Sequence, residues 1–187
     1  MGELVYASLV SLDGYVADAD GGFGWAEPDA DVHTAVNDLL RTTKTYLYGR
    51  RMYDVLVAWE TMDTDGAPQH YGDYQALWRA ADKVVYSRTL AGVASERTRI
   101  ERDFDPAAVD ATKQHGDVAI GGPTLAARAF EAGLVDAVHL FVYPVVVGGG
   151  LRALPDGVRL DLDLRGERRY DHGVVHLHYS AGRPHQR

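Results

Sequence analysis

Ile120-Gly121-Gly122-Pro123-Thr124-Leu125 joins a short apolar strand to a helix. The free N–H groups and the dipole at a helix start favour an anion. Two glycines let a ligand approach the backbone closely. The plain alternative is a tight strand-to-helix turn with no ligand.

Two further strand ends carry cations. Gly49-Arg50-Arg51 follows the strand at 45–48, and Ser87-Arg88-Thr89 follows the strand at 83–87. In open α/β sheets, ligands bind outside the carboxyl ends of strands. Arginine suits a phosphate because its planar fork makes two hydrogen bonds. Arginines at two strand ends and a Gly-Gly turn at a third point to a phosphorylated cofactor. Judged singly, each arginine also reads as a solvated surface residue.

A third candidate is Ser11-Leu12-Asp13-Gly14 with the glycine- and aspartate-rich loop from Tyr15 to Trp25. Such a loop could be a lid over a ligand. A carboxylate beside it could position or protonate a substrate. Asp13, Glu27, Asp29 and Asp31 are the candidates. The simpler reading makes Asp13 a turn residue and the later acids helix N-terminal charges.

His176 and His178 share one face of a strand. No third ligand stands at a recognisable spacing, so packed or solvent-facing imidazoles are the better reading than a metal pair. Gly-x-Ser-x-Gly, Gly-x-Gly-x-x-Gly and the P-loop pattern are all missing from the chain.

These residues need strands and helices to hold them. Strands are expected at 5–10, 45–48, 83–87, 118–120 and 138–147, with a short one inside 93–100. Helices are expected at 31–40, 52–59 and 74–81, with a loop over 61–72. Asp105-Pro106 supplies an N-cap and a first-turn proline for another helix, and Gly122-Pro123 opens a last one that Gly133 stops. Segments 158–170 and 174–179 alternate around Asp171-His172-Gly173, a hairpin pattern. Strand–helix alternation followed by a β-rich end implies one α/β domain over 1–180 with a mixed sheet. Residues 181–187 read as a frayed tail.

The whole chain bounds the function. Its 187 residues suit one domain, and 46% hydrophobic with 25% charged residues is ordinary for a globular protein. A net charge of −8 argues against sequence-independent nucleic-acid binding. No apolar run is long enough for a membrane span, and the N-terminus has no signal-peptide pattern. The chain has no cysteine, which excludes disulfides, thiolate zinc sites and a cysteine nucleophile. A cytoplasmic protein is expected.

Six pieces in order resemble one family. They are Ser11-Leu12-Asp13-Gly14-Tyr15-Val16-Ala17, Tyr48-Gly49-Arg50-Arg51-Met52-Tyr53, Lys83 to Leu90, Ile120 to Leu125, Gly133-Leu134-Val135-Asp136 and Tyr143 to Gly150. Together they are similar to the dihydrofolate-reductase-like superfamily, and within it to the reductase domain of riboflavin-biosynthesis deaminase-reductases.

The resemblance implies a three-layer α/β sandwich, with a central mixed sheet of about eight strands and helices on both faces. It implies NADPH as cofactor and a homodimer. Gly49, Arg50, Arg51, Ser87, Arg88 and Thr89 would hold the adenosine side, and Gly121, Gly122, Pro123, Thr124 and Leu125 the pyrophosphate. Ala17 and Trp25 would lie near the nicotinamide. The Gly-Gly peptide would be cis. Asp13 and Asp31 are the expected catalytic acids, with water as the other proton source. The sequence departs from true dihydrofolate reductases at Ala80-Ala81-Asp82-Lys83, where their folate-binding arginine has no clean match. The expected activity is therefore hydride transfer to a C=O or C=N of a small polar, pterin- or pyrimidine-like substrate. The alternative is a nucleotide- or ligand-binding protein on the same fold without turnover.

Overall fold

In chain order, the computed structural model contains β1 (Leu4–Ser11), β2 (Tyr15–Ala17), α1 (Ala30–Leu40), β3 (Thr43–Gly49), α2 (Arg50–Leu56) and α3 (Gln69–Ala80). Then come β4 (Asp82–Tyr86), β5 (Thr98–Glu101), α4 (Pro106–Lys113), β6 (Asp117–Gly121), α5 (Pro123–Glu131) and β7 (Ala137–Tyr143). The chain ends with β8 (Leu151–Arg152), β9 (Leu162–Arg169) and β10 (Val175–Ala181). The structure describes residues 1–182. Eight strands make a mixed sheet, and β2 and β8 pair separately. This is the α/β sandwich class that the resemblance implies.

The chain divides into two compact units. The first comprises residues 1–2 and 28–122. Its strands run β5-β4-β3-β6, all parallel. Aromatic Tyr46 and Tyr48, β-branched Val84 and Val85, and Leu47 fill the strand interiors and are buried. One core joins Tyr46, Tyr48, Tyr53, Tyr74, Trp78 and Val85. Asp29 caps α1, its Oδ1 accepting from Val32 N at 2.9 Å. Asp105 caps α4 through Ala107 N, with Pro106 in the first turn. Both are the short acceptors that helix starts favour.

Lys83 is 1% exposed inside this unit. Its ammonium donates to Trp78 O at 2.9 Å and Ala81 O at 3.0 Å, at the end of α3. It also lies 4.3 Å from the Trp78 ring centroid. The lysine therefore satisfies the carbonyls that a helix C-terminus leaves open.

The second unit comprises, among the described residues, 3–27 and 123–182. Its strands run β1-β7-β10-β9, with β9 outermost. β1 and β7 are parallel, and β10 is antiparallel to both β7 and β9. Tyr6 packs edge-on against Phe130 of α5 at 5.4 Å. Gly133, at φ +66°, ends α5, and Leu134 N returns to Ala129 O. Glycine takes this left-handed cap without a Cβ penalty.

Four expectations are corrected. Tyr15–Ala17, read as loop, is a strand paired with Leu151–Arg152. Three- and two-residue strands carry too little periodicity to register. α3 begins at Gln69, so the loop after residue 61 ends at Pro68. The strand read over 138–147 stops at Tyr143, where Pro144 withdraws a donor. Ala181, placed in the tail, is the last residue of β10 and pairs with Leu162. The rest of that expected tail, from 183, lies outside the described residues.

Candidate functional site

β3, β4 and β6 are parallel neighbours, and their register sets the first unit's chemistry. Gly49 pairs with Tyr86, and Tyr48 pairs with Gly121. The carboxyl ends of these strands therefore lie side by side. Gly49-Arg50, Ser87-Arg88-Thr89 and Gly121-Gly122, far apart in sequence, emerge at one sheet edge. This is the placement that ligand sites of open α/β sheets use.

Arg50 Nη1 donates to Thr89 Oγ1 at 2.9 Å. Arg50 Nε also lies 3.5 Å from Asp54 on the next turn of α2. Arg88 reaches Asp103 Oδ1 through Nη2 at 2.5 Å and Nε at 3.1 Å. Arg51 sits exposed in the first turn of α2. The Arg50 and Arg88 pairs are solvent-exposed. Pairs of this kind contribute about 0–1 kcal/mol, so a phosphate can displace the acids.

Ser87 has a different part. It is buried, and its Oγ accepts from Thr89 N at 3.3 Å and Leu90 N at 3.0 Å. Its hydroxyl shapes the turn that presents Arg88 and Thr89. Arg102, which the sequence reading missed, completes that turn by donating to Ser87 O at 2.8 Å and Leu90 O at 2.9 Å. The available signal was position: Arg102 follows β5, the parallel neighbour of β4.

The Gly-Gly turn is sterically committed. A Cβ on Gly121 would stand 3.0 Å from two Tyr48 ring carbons. Gly122 has φ +89°. No peptide bond among the described residues is cis, so the expected cis Gly121–Gly122 bond is trans here. The positive φ of Gly122 makes the reversal instead. In α5, Thr124 is exposed while Leu125 is 8% exposed in the core. Leu125 is thus left with its backbone to offer.

The remaining candidates of the second unit gather around the ends of β1 and β7. Asp13 Oδ1 accepts from Val147 N at 3.2 Å and Oδ2 from Gly148 N at 2.8 Å. Its hydrogen bond with Ser11, followed by the Gly148 and Val147 amides, lowers its pKa below the usual aspartate value. Such a group is an ionised loop anchor, poorly suited to release a proton near neutrality. Gly150 backs onto β2: a Cβ there would lie 2.1 Å from Ala17 O. Tyr6 OH and Gly14 O tie the same loop at Ala153.

Ala17 is buried in β2. Trp25 sits in a 3-10 turn (Gly24–Ala26), edge-on to Tyr143 at 6.3 Å. Its Nε1 is buried with no hydrogen-bond partner. An indole N–H in that state is an open donor.

The acids after Trp25 separate. Asp29 is the α1 cap. Asp31 is exposed in the first turn of α1, and Glu27 is exposed before it. On β10, His176 and His178 are joined by His139 of β7, which the sequence spacing could not reveal. The three rings stack, and no His/Asp/Glu group among the described residues is arranged to hold a metal ion. No helix among them is long and apolar enough to cross a membrane.

Residues 106–176 match the family model of the RibD C-terminal domain. The chain is 28% identical over 173 residues to the uncharacterized protein YyaP of Bacillus subtilis (strain 168), covering 91% of this chain and 90% of that one. Its fold is similar to a riboflavin biosynthesis protein of Shewanella sp. PV-4, with TM-score 0.76, 17% identity and coverage of 97% and 99% of the two chains. A pyrimidine reductase-like protein of Corynebacterium diphtheriae follows, with TM-score 0.71, 14% identity and coverage of 97% and 92%. A third is the diaminohydroxyphosphoribosylaminopyrimidine deaminase/5-amino-6-(5-phosphoribosylamino)uracil reductase of Thermotoga maritima, with TM-score 0.68 and 13% identity. There the match covers 97% of this chain but 57% of that longer one. The six motifs and the sheet agree with these matches: residues 106–176 are similar to the RibD C-terminal domain, and the chain has the fold of these riboflavin-biosynthesis and pyrimidine reductase-like proteins.

Proposed function

We propose that the chain is an NADPH-dependent oxidoreductase acting on a small polar heterocycle of the pterin or pyrimidine kind. One observation carries this reading: three glycine- and arginine-bearing motifs meet at the carboxyl ends of β3, β4 and β6. The donor set there is guanidinium, hydroxyl and close-approach backbone, which fits the phosphates of a dinucleotide. The pyrimidine class rests on the uracil reductase activity named for the Thermotoga maritima relative.

When bound, the dinucleotide supplies a hydride for a C=O or C=N carbon. Arg50, Arg88 and Thr89 bind the 2′-phosphate, on the turn that Ser87 and Arg102 shape. Gly49 and Arg51 flank that subsite. Gly121 and Gly122 give their backbone to the pyrophosphate, with Pro123, Thr124 and Leu125 following. Ala17 and Trp25 serve the nicotinamide side. Asp13 positions the 143–150 loop. Asp31 and solvent are the proton sources.

The test is a paired titration with NADPH and NADH, followed by protein fluorescence. Tight NADPH binding, weaker NADH binding and loss of that preference in Arg50→Ala or Arg88→Ala support the reading. Failure of both nucleotides to bind removes it. A nucleotide-binding protein without turnover is the second reading, favoured by the structural engagement of Asp13. NADPH oxidation with a pterin or pyrimidine substrate separates the two. A cytoplasmic homodimer is the form we propose, and analytical ultracentrifugation checks the assembly.

A further inference from the structure

The two antiparallel strands β7 and β10 are joined by side chains as well as by their ladder. His139 lies directly opposite His178, and Phe141 opposite His176. Their side chains share one face. His139 Nδ1 and His176 Nε2 are 2.9 Å apart, so one nitrogen donates and the other accepts. The His139 and His178 rings stack at 4.0 Å and 15°, and the Phe141 and His176 rings at 4.3 Å and 4°. His139 is 6% exposed. The hydrogen bond needs at least one of the two facing nitrogens unprotonated. The ring stacking is most favourable with neutral imidazoles.

Among the described residues, none of the strand neighbours in register with these rings carries a negative charge. On the β1 side, the residues in register with His139 and Phe141 are Ala7 and Leu9. On the β9 side, Arg168 is opposite His176 and Gly166 is opposite His178. Arg168 itself rests on the Tyr170 ring at 4.6 Å. Arg165, further along β9, donates to Ser180. The charged groups that act on His139 are His178 and His176, and those that act on His176 are His178 and Arg168, all basic.

We infer that the His139–His176–His178 stack is an acid-sensitive clasp: neutral, it holds β10 against β7, and protonated, it releases the β9–β10 hairpin. Burial first, then His178 and His176, pulls the His139 pKa from 6.5 down to about 3. Burial, His178 and Arg168 lower that of His176 as well. Both imidazoles thus take protons more readily once the hairpin opens. The sign follows: holding strength is full above pH 6.5 and falls as pH drops below it. Opening should rise about tenfold per pH unit for each imidazole that is neutral closed and protonated open.

The test is peptide-resolved hydrogen exchange on the intact chain at pH 7.5 and 5.0, corrected for intrinsic exchange. We expect protection over 137–143 and 162–181 to fall tenfold or more at pH 5.0, while 43–49 and 82–86 hold theirs. The double variant His139→Phe/His176→Phe, which replaces both hydrogen-bond partners with rings, should lose that dependence. NMR titration of the wild-type imidazoles gives a readout that does not rely on the variant folding: His139 should stay neutral well below pH 6.5. A uniform loss of protection along the chain, or His139 and His176 titrating independently near 6.5, overturns the proposal.

Discussion

Arg50 and Thr89 are 39 positions apart in the chain, yet the guanidinium of one donates to the hydroxyl of the other at 2.9 Å. The bond joins the start of α2 to the turn after β4. It also holds a cation and a hydroxyl together at the sheet edge. Arg50→Ala should weaken NADPH binding by about 10- to 100-fold, the size of a lost charge-assisted hydrogen bond. NADH binding should change far less. Thr89→Val should have a smaller effect of the same sign. Titrations of both variants with both nucleotides check this.

Gly122→Ala puts a Cβ on a residue at φ +89°. The strain should lower stability by about 1–3 kcal/mol. Gly121→Ala meets the Tyr48 ring instead, at 3.0 Å. Thermal melts should show both variants below the wild type. Nucleotide affinity should fall beyond what the melts explain if the backbone of this turn touches phosphate.

Lys83→Ala removes a buried ammonium from two carbonyls at the end of α3 and from the face of Trp78. Its loss should cost about 2–4 kcal/mol, through unpaired acceptors and a cavity. Urea unfolding is the measurement. Trp78→Ala, in the same core, should cost about 3–5 kcal/mol.

Asp13→Ala frees the Val147 and Gly148 amides. Those two amides should exchange faster while β1 and β7 keep their protection. Because the Asp13 pKa is lowered in the folded chain, its contribution is present above the aspartate value of 3.8 and disappears as pH falls through the folded value. The wild-type loop should therefore stay protected at pH 5 and lose its anchor only in strong acid.

Gly150→Ala drives a methyl onto Ala17 O and should undo the β2–β8 pair. Loss of exchange protection at 15–17 and 151–152 is the expected result. Spared β1 and β7 amides would show that the damage is local.

Long periodic segments were legible in the sequence because burial imposes their pattern. The strands of Tyr46–Tyr48 and Val84–Val85, the Asp105-Pro106 start and the Gly133 stop all stand where residue chemistry puts them. The positions of the strand-end motifs were legible because the apolar runs before them mark where β3, β4 and β6 stop. What escaped was set by tertiary register. His139 becomes a partner of His178 only through β7–β10 pairing. Arg102 becomes a loop brace only because β5 lies parallel to β4. Asp13 read more simply as a turn residue than as an acid, and its two amide donors, more than a hundred positions away, were out of view.

The outermost strand of the second unit, β9, is exposed along most of its length and carries Asp163, Arg165, Glu167, Arg168 and Arg169. Its ladder with β10 is interrupted by a register shift between His178 and Tyr179. An open strand edge is a template for adding a foreign strand, and mixed charges with a bulge make that addition unfavourable. Concentrated solutions of this acidic chain should thus resist strand-to-strand aggregation at β9, and a productive assembly of two copies has reason to use another surface.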